Sequence, residues 1–220
     1  MVLKIPVYFM PGMAASSTIF ENINLPEDQF EVFLLEWFVP KDKETLSDYA
    51  KRMTQEIKHE NPVLIGVSFG GILVQEMSNH IQVRKLIIIS SVKSNKELPR
   101  RMKVAKQTMA YKLIPTRLLS NVEVLAKYAF GDSVSKRIQL YEKYLKMRDK
   151  KYLDWAIENV ILWKQTEPKN GIVHIHGDKD EVFPVKHIKD YIPVKNGTHI
   201  MIINKYKWLN ENLPKIILEN

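Results

Sequence analysis

The chain has 220 residues, 45% of them hydrophobic, which suits one globular domain with a sizeable core. It contains no cysteine, which excludes disulfides, thiol chemistry and thiolate metal sites. The opening Met-Val-Leu-Lys-Ile-Pro is not a signal peptide and no apolar run approaches the ~20 residues that span a bilayer, so a cytoplasmic protein without membrane insertion is expected.

The formal charge of +8 is unevenly placed. Between Lys93 and Lys151 there are 16 Lys/Arg against 5 Asp/Glu, whereas the remainder holds 17 against 20. The commonest meaning of such a run is a solvated face. Steering of anionic substrates, or contact with a membrane surface or nucleic acid, are the other readings. Nucleic acid is disfavoured because basic and aromatic residues do not interleave.

In chain order, Val2 to Met10 reads as a first strand. Pro6 is awkward inside it, since proline donates nothing to a ladder, and a bulge or irregularity is expected there. Pro11 to Ser17 is a loop leading to a short helix that ends near Glu21. A second strand is expected over the apolar run Phe30 to Trp37. Helical periodicity follows from Glu44 to Glu60, at Leu46, Tyr49, Ala50, Met53 and Ile57.

Val63 to Val67 reads as a buried strand, and it breaks at Gly66-Val67-Ser68-Phe69-Gly70. This is a G-x-S-x-G pattern, followed by an apolar helix from Gly71 to Ser78. Strand, sharp turn and helix is the context in which that pattern presents a serine hydroxyl at a strand's carboxyl end. A fourth strand covers Lys85 to Ser90. From Val92 to Pro168 no strand is evident, only helical stretches at Arg101–Leu113, Val122–Ala129, Ser135–Met147 and Tyr152–Gln165. Strands return at Ile172–His176 and Tyr191–Val194, before a closing helix from about Tyr206. The pattern predicts an α/β, doubly wound, mostly parallel sheet of about six strands.

Ligands of such sheets sit beyond the strands' carboxyl ends. His176-Gly177-Asp178-Lys179-Asp180-Glu181-Val182-Phe183-Pro184 follows the fifth strand, and Asn196-Gly197-Thr198-His199 follows the sixth. Ser68, an acid near 180 and His199 therefore occur in the order Ser…Asp…His. Six of the eight glycines fall in the loops at this edge, where backbones must bend or approach a ligand closely.

With these motifs the chain resembles a small member of the α/β-hydrolase superfamily over nearly its whole length outside the helical block. The resemblance implies that Ser68 is the nucleophile, Asp180 the acid of the Gly177-to-Pro184 loop and His199 the general base. It assigns the oxyanion loop to Pro11-Gly12-Met13, with the backbone N–H groups of Met13 and Phe69 as donors. Strand order 2-1-3-4-5-6 is expected, because the chain starts at what resembles the family's third strand. The core would comprise 1–92 and 169–220, with 93–168 inserted as a helical cap. Gly12, Trp37 and Phe183 are assigned to the substrate-binding wall, core packing being the alternative for Trp37.

The implied activity is a serine hydrolase acting on a small to medium apolar carboxylic ester or thioester, with no metal and no cofactor. A carbon–carbon bond hydrolase or an acyl or perhydrolytic transferase on the same residues is one alternative. A ligand-binding or receptor-like protein with negligible turnover is another. The oligomeric state is left open. Among the remaining residues, His174 and His176 share one strand face and read as structural rather than as a metal pair. His59 and His187 read as solvated. Met102, Ala105, Met109 and Leu113 read as packing along one helix face.

Overall fold

The computed structural model describes residues 3–113 and 142–219. The helix expected at Val122–Ala129, and most of the one at Ser135–Met147, lie outside them. Six strands form one sheet: β1 (Ile5–Met10), β2 (Phe30–Leu34), β3 (Val63–Val67), β4 (Lys85–Ile89), β5 (Val173–Gly177) and β6 (Ile192–Val194). Every pairing is parallel, in the order β2-β1-β3-β4-β5-β6. The helices are α1 (Leu46–Met53), α2 (Phe69–Met77), α3 (Arg100–Thr108), α4 (Lys150–Leu162), α5 (Met201–Asn204) and α6 (Tyr206–Leu218).

Burial explains the composition of the central strands. All five residues of β3 are buried, as are the last four of β1 and of β4, and a strand covered on both faces must be apolar at every position. β2 is an edge strand, and there Val32 and Leu34 are exposed. It ends at Leu34 rather than Trp37, with the Leu35 N–H making the last bond to the Phe9 carbonyl at 2.9 Å.

Pro6 produces no bulge, because the β1–β2 register runs unbroken from Ile5↔Phe30 to Phe9↔Leu34. The Ile5 N–H and the Phe9 carbonyl both point toward β2. Position 6 therefore faces β3, where pairing begins only at Val7. Proline occupies the one place in the strand where no donor is required.

Thr45 caps α1 by accepting the Asp48 N–H at 3.1 Å, and the helix buries Leu46, Tyr49, Ala50 and Met53. It stops at Met53, short of the Glu60 its periodicity suggests, and passes into a 3₁₀ turn at Thr54–Glu56. Between β4 and β5 the described residues contain α3 and α4 and no strand. The expected packing stripe holds in part: Met102 and Ala105 of α3 are half-buried against the core, whereas Met109 and Leu113 beyond the helix are exposed.

The chain moves from β1 to β2 on one side, then crosses back over β1 to lay down β3. The sheet's order thus reverses between β1 and β3, and a crevice opens outside their carboxyl ends. Ser68 follows β3 directly, and Gly12 follows β1 after Pro11. On the far side of β3, the loops after β5 and β6 meet backbone to backbone. A methyl group at Gly177 would stand 2.3 Å from the Gly197 carbonyl oxygen, so only glycine allows the approach. The Lys179 N–H bonds that same oxygen at 2.9 Å. Gly177→Ala is expected to destabilise the fold by about 1–3 kcal/mol through overpacking, read as a lower urea midpoint.

Candidate active site

Ser68 closes β3 and opens α2 with φ 53° and ψ −119°, a conformation costly for a residue with a Cβ. Backbone and hydroxyl bonds hold it there. Its N–H donates to the Ile89 carbonyl at 2.9 Å, and its own carbonyl accepts the Gly71 N–H at 2.9 Å and the Ser91 hydroxyl at 2.7 Å. The turn requires Gly66, where a Cβ would lie 2.3 Å from the Gly70 carbonyl oxygen.

His199 Nε2 lies 2.9 Å from Ser68 Oγ, and its Nδ1 lies 2.9 Å from Asp180 Oδ2. Asp180 is buried, and its other oxygen accepts the N–H groups of Val182 and Phe183 at 2.8 and 2.9 Å. Its neighbours Asp178 and Glu181 are exposed. Of the three acids crowding this loop, Asp180 is the one that reaches the imidazole. Burial pushes the Asp180 carboxyl up, but the charge and hydrogen bond of His199, with help from His176 and the Phe183 N–H, outweigh it and hold the group below its ordinary value.

Behind Asp180 lies a second pair of imidazoles. His176 Nε2 is 2.9 Å from the Phe183 carbonyl oxygen and 3.5 Å from Asp180 Oδ2. A carbonyl only accepts, so Nε2 carries the proton. Burial lowers the pKa of His176 and drives that of His174 well below its ordinary range, keeping both rings neutral. His176 Nδ1 is therefore bare and accepts His174 Nε2–H at 3.0 Å. Donation runs in one direction, from His174 through His176 into the loop that carries Asp180. Among the described residues no group of three or more His, Asp or Glu could hold a metal ion.

A cavity of about 420 Å³ opens over Ser68 and His199. Gly12, Met13, Phe69 and Phe183 line it, the Phe183 ring also packing edge-on against His199 at 5.6 Å. Among the described residues no hydrogen-bond acceptor engages the N–H of Met13 or Phe69. Met102 and Ala105 of α3 and Val160 and Ile161 of α4 line the cavity, which explains why the apolar residues of α3 are only half-buried.

Trp37 is not in the cavity wall, contrary to its assignment from sequence. It lies behind the wall, its indole N–H donating to the Gly12 carbonyl at 2.9 Å and its ring stacked on Phe69 at 5.0 Å. Its aromatic face is spent on holding the loop after β1. Sequence reasoning missed other supports of that loop. The Ser16 N–H donates to the Tyr144 carbonyl at 2.8 Å, the Met147 N–H to the Ala14 carbonyl at 3.0 Å, and the Ala14 N–H to the hydroxyl of fully buried Tyr152 at 3.4 Å. Nothing in the sequence spacing of these residues signals the contacts. His59 is likewise only partly solvated: its Nδ1 accepts the Tyr8 hydroxyl at 2.7 Å, while that hydroxyl takes the Lys58 N–H at 3.1 Å.

Strand order, crossovers and the serine turn together are those of the α/β-hydrolase fold, and the chain has that fold. Solved structures agree over nearly the whole length. The enol-lactonase of Burkholderia xenovorans LB400 superposes with a TM-score of 0.71 at 11% identity, covering 99% of this chain and 92% of that one. The epoxide hydrolase of Bacillus megaterium gives 0.68 at 14%, covering 99% and 94%. A bromoperoxidase from Bacillus anthracis gives 0.64 at 17%, covering 99% and 93%. No family model matches the sequence, and no curated protein matches it either.

The neutral histidine pair has a consequence for stability. Both folded-state values lie below the unfolded value of about 6.5, so the unfolded chain binds more protons in acid. Their contribution is complete above pH 6.5 and is lost as pH falls from there toward the folded values. The Asp180 contribution goes only lower, as pH drops through its depressed value. Urea midpoints should therefore fall between pH 7.5 and 5, by up to about 1.4 kcal/mol per pH unit for each proton, and His174→Asn should flatten that slope.

Proposed function

We propose that the protein is a serine hydrolase that cleaves a carboxylic ester or thioester with an apolar acyl group through an acyl-enzyme. The observation that carries this reading is the unbroken chain Ser68 Oγ–His199–Asp180, at 2.9 Å for each link, on the floor of an apolar cavity. The three structural neighbours above carry names from three different reactions, so the fold does not choose among them. The choice rests on the residues.

Asp180 keeps the His199 proton on Nδ1, which leaves Nε2 free to take the Ser68 proton as Oγ attacks the carbonyl carbon. The developing oxyanion is met by the backbone N–H groups of Met13 and Phe69, the latter at the N-terminus of α2. Two such donors are worth about 3 kcal/mol each in comparable sites. The imidazolium formed in attack gives its proton to the departing alcohol or thiol, and the carbonyl reforms as an acyl-Ser68 ester. Water then attacks in the same way, His199 taking its proton and returning it to Ser68 as the carboxylic acid leaves. In this reading residues 93–168 form the cap, and α3 and α4 supply the upper wall that excludes water from the acyl chain.

A fluorophosphonate should modify Ser68 and no other serine, and Ser68→Ala should lose nearly all ester turnover. Asp180→Asn should keep the fold while kcat drops by ~10⁴-fold, the size of loss seen when such an acid is neutralised. Labelling at Ser16, Ser17 or Ser90 would remove the assignment. Binding without steady-state turnover would replace the enzyme with a receptor-like protein.

A further inference from the structure

The cavity is apolar on nearly every side, and among the described residues Arg101 is the one lining residue with a permanent charge. It stands in the first turn of α3, whose sequence Arg-Arg-Met-Lys-Val-Ala-Lys-Gln-Thr contains no acid. Its Nη2 donates to the carbonyl oxygens of Glu181 and Val182, at 3.1 and 2.9 Å, in the loop that follows Asp180. These contacts use both N–H groups of Nη2. A guanidinium has five, so Nε–H and the two on Nη1 remain. The acceptors are neutral, and among the described residues no carboxylate pairs with Arg101. Arg101 is exposed at the cavity's edge, so its pull on an anion is that of a positioned surface cation, modest in size and screened by salt.

Resting on the hydrolase reading above, we propose that the preferred substrate is an ester or thioester whose apolar acyl chain ends in a carboxylate. Arg101 receives that carboxylate while Ser68 meets the scissile carbonyl. The apolar lining between them accepts the methylene chain, and the length of that chain sets how well both ends are satisfied. A clasp holding α3 to the acid loop would need only the two carbonyl contacts. A carboxylate-reading role also needs the positive charge, and this difference can be measured.

The full-length protein is assayed by methanol release from length-matched pairs, the monomethyl ester of a dicarboxylic acid against the methyl ester of the corresponding monocarboxylic acid. Within each variant the quantity read is the ratio of kcat/KM for the anionic over the neutral member, so a general loss of activity or folding cancels. Wild type should favour the anionic member, most at one chain length, and the preference should shrink as salt rises. Arg101→Gln should lower the ratio about 2- to 5-fold, the worth of one exposed ion pair. Arg101→Glu should lower it further, and Arg101→Lys should restore part of it. An unmoved ratio in Arg101→Gln, or a wild-type preference for neutral esters, overturns the carboxylate assignment while leaving the hydrolase reading in place. Failure to hydrolyse either member, with Ser68 unlabelled by fluorophosphonate, overturns both.

Discussion

Everything at the site depends on one strained residue. A serine with φ 53° costs about 1–3 kcal/mol relative to relaxed backbone, and it persists because its surroundings leave it no alternative. The Ser68 N–H and carbonyl are tied to the end of β4 through Ile89 and Ser91. Gly66 and Gly70 let β3, α2 and the loop after β1 approach within distances that no side chain would permit. The strain therefore cannot relax without separating two central strands. What it achieves is geometric: the hydroxyl projects from the turn toward His199 while the first N–H of α2 stays free of any strand partner.

The parts of this arrangement visible in the sequence are those that follow from local rules. Strand β3 ends where its apolar run meets Gly66, and the parallel order follows from alternation of strands and helices. The loops after β5 and β6 could be matched because Gly177 and Gly197 mark places of close approach. Other parts were hidden for physical reasons. A helix stripe facing a cavity has the same period as one facing the core, so the cavity contacts of Met102 and Ala105 could not be told from their packing. Trp37 follows a strand at the right edge of the sheet, but which side of the loop its ring occupies depends on Phe69 and Gly12, distant in sequence. Pro6 was misjudged because the direction of a missing N–H matters only once the neighbour's starting residue is known.

The loop after β1 joins the two halves of the site. Ala14 adopts φ 63°, and the loop is held on one side by Trp37 and on the other by Tyr144, Met147 and Tyr152. The last three come from the segment between β4 and β5, the same segment that helps line the cavity. Displacing α4 would therefore disturb more than the upper wall, since Tyr152 and the Met147 N–H fix the backbone beside Met13. Wall and loop are mechanically one unit, and displacement of α4 bears on the position of groups next to Ser68.

A similar coupling exists at the acid. The loop from Asp180 to Phe183 is gripped from beneath by His176, whose Nε2–H bonds the Phe183 carbonyl, and from above by Arg101 on the Glu181 and Val182 carbonyls. Asp180 itself spends one oxygen on the N–H groups of Val182 and Phe183 and presents the other to His199. The Glu181, Val182 and Phe183 carbonyls thus have partners on other elements, the Val182 and Phe183 N–H groups bond Asp180 itself, and the carboxylate has little freedom to turn. The lower grip is neutral and buried, where a charge would compete with His199 for Asp180. The upper grip is cationic and exposed, and among the described residues no carboxylate pairs with it. If Arg101 reads the substrate as proposed, a group that both steadies the acid loop and lines the cavity ties recognition to the alignment of His199, because whatever pulls on the Arg101 guanidinium also pulls on the carbonyls next to Asp180.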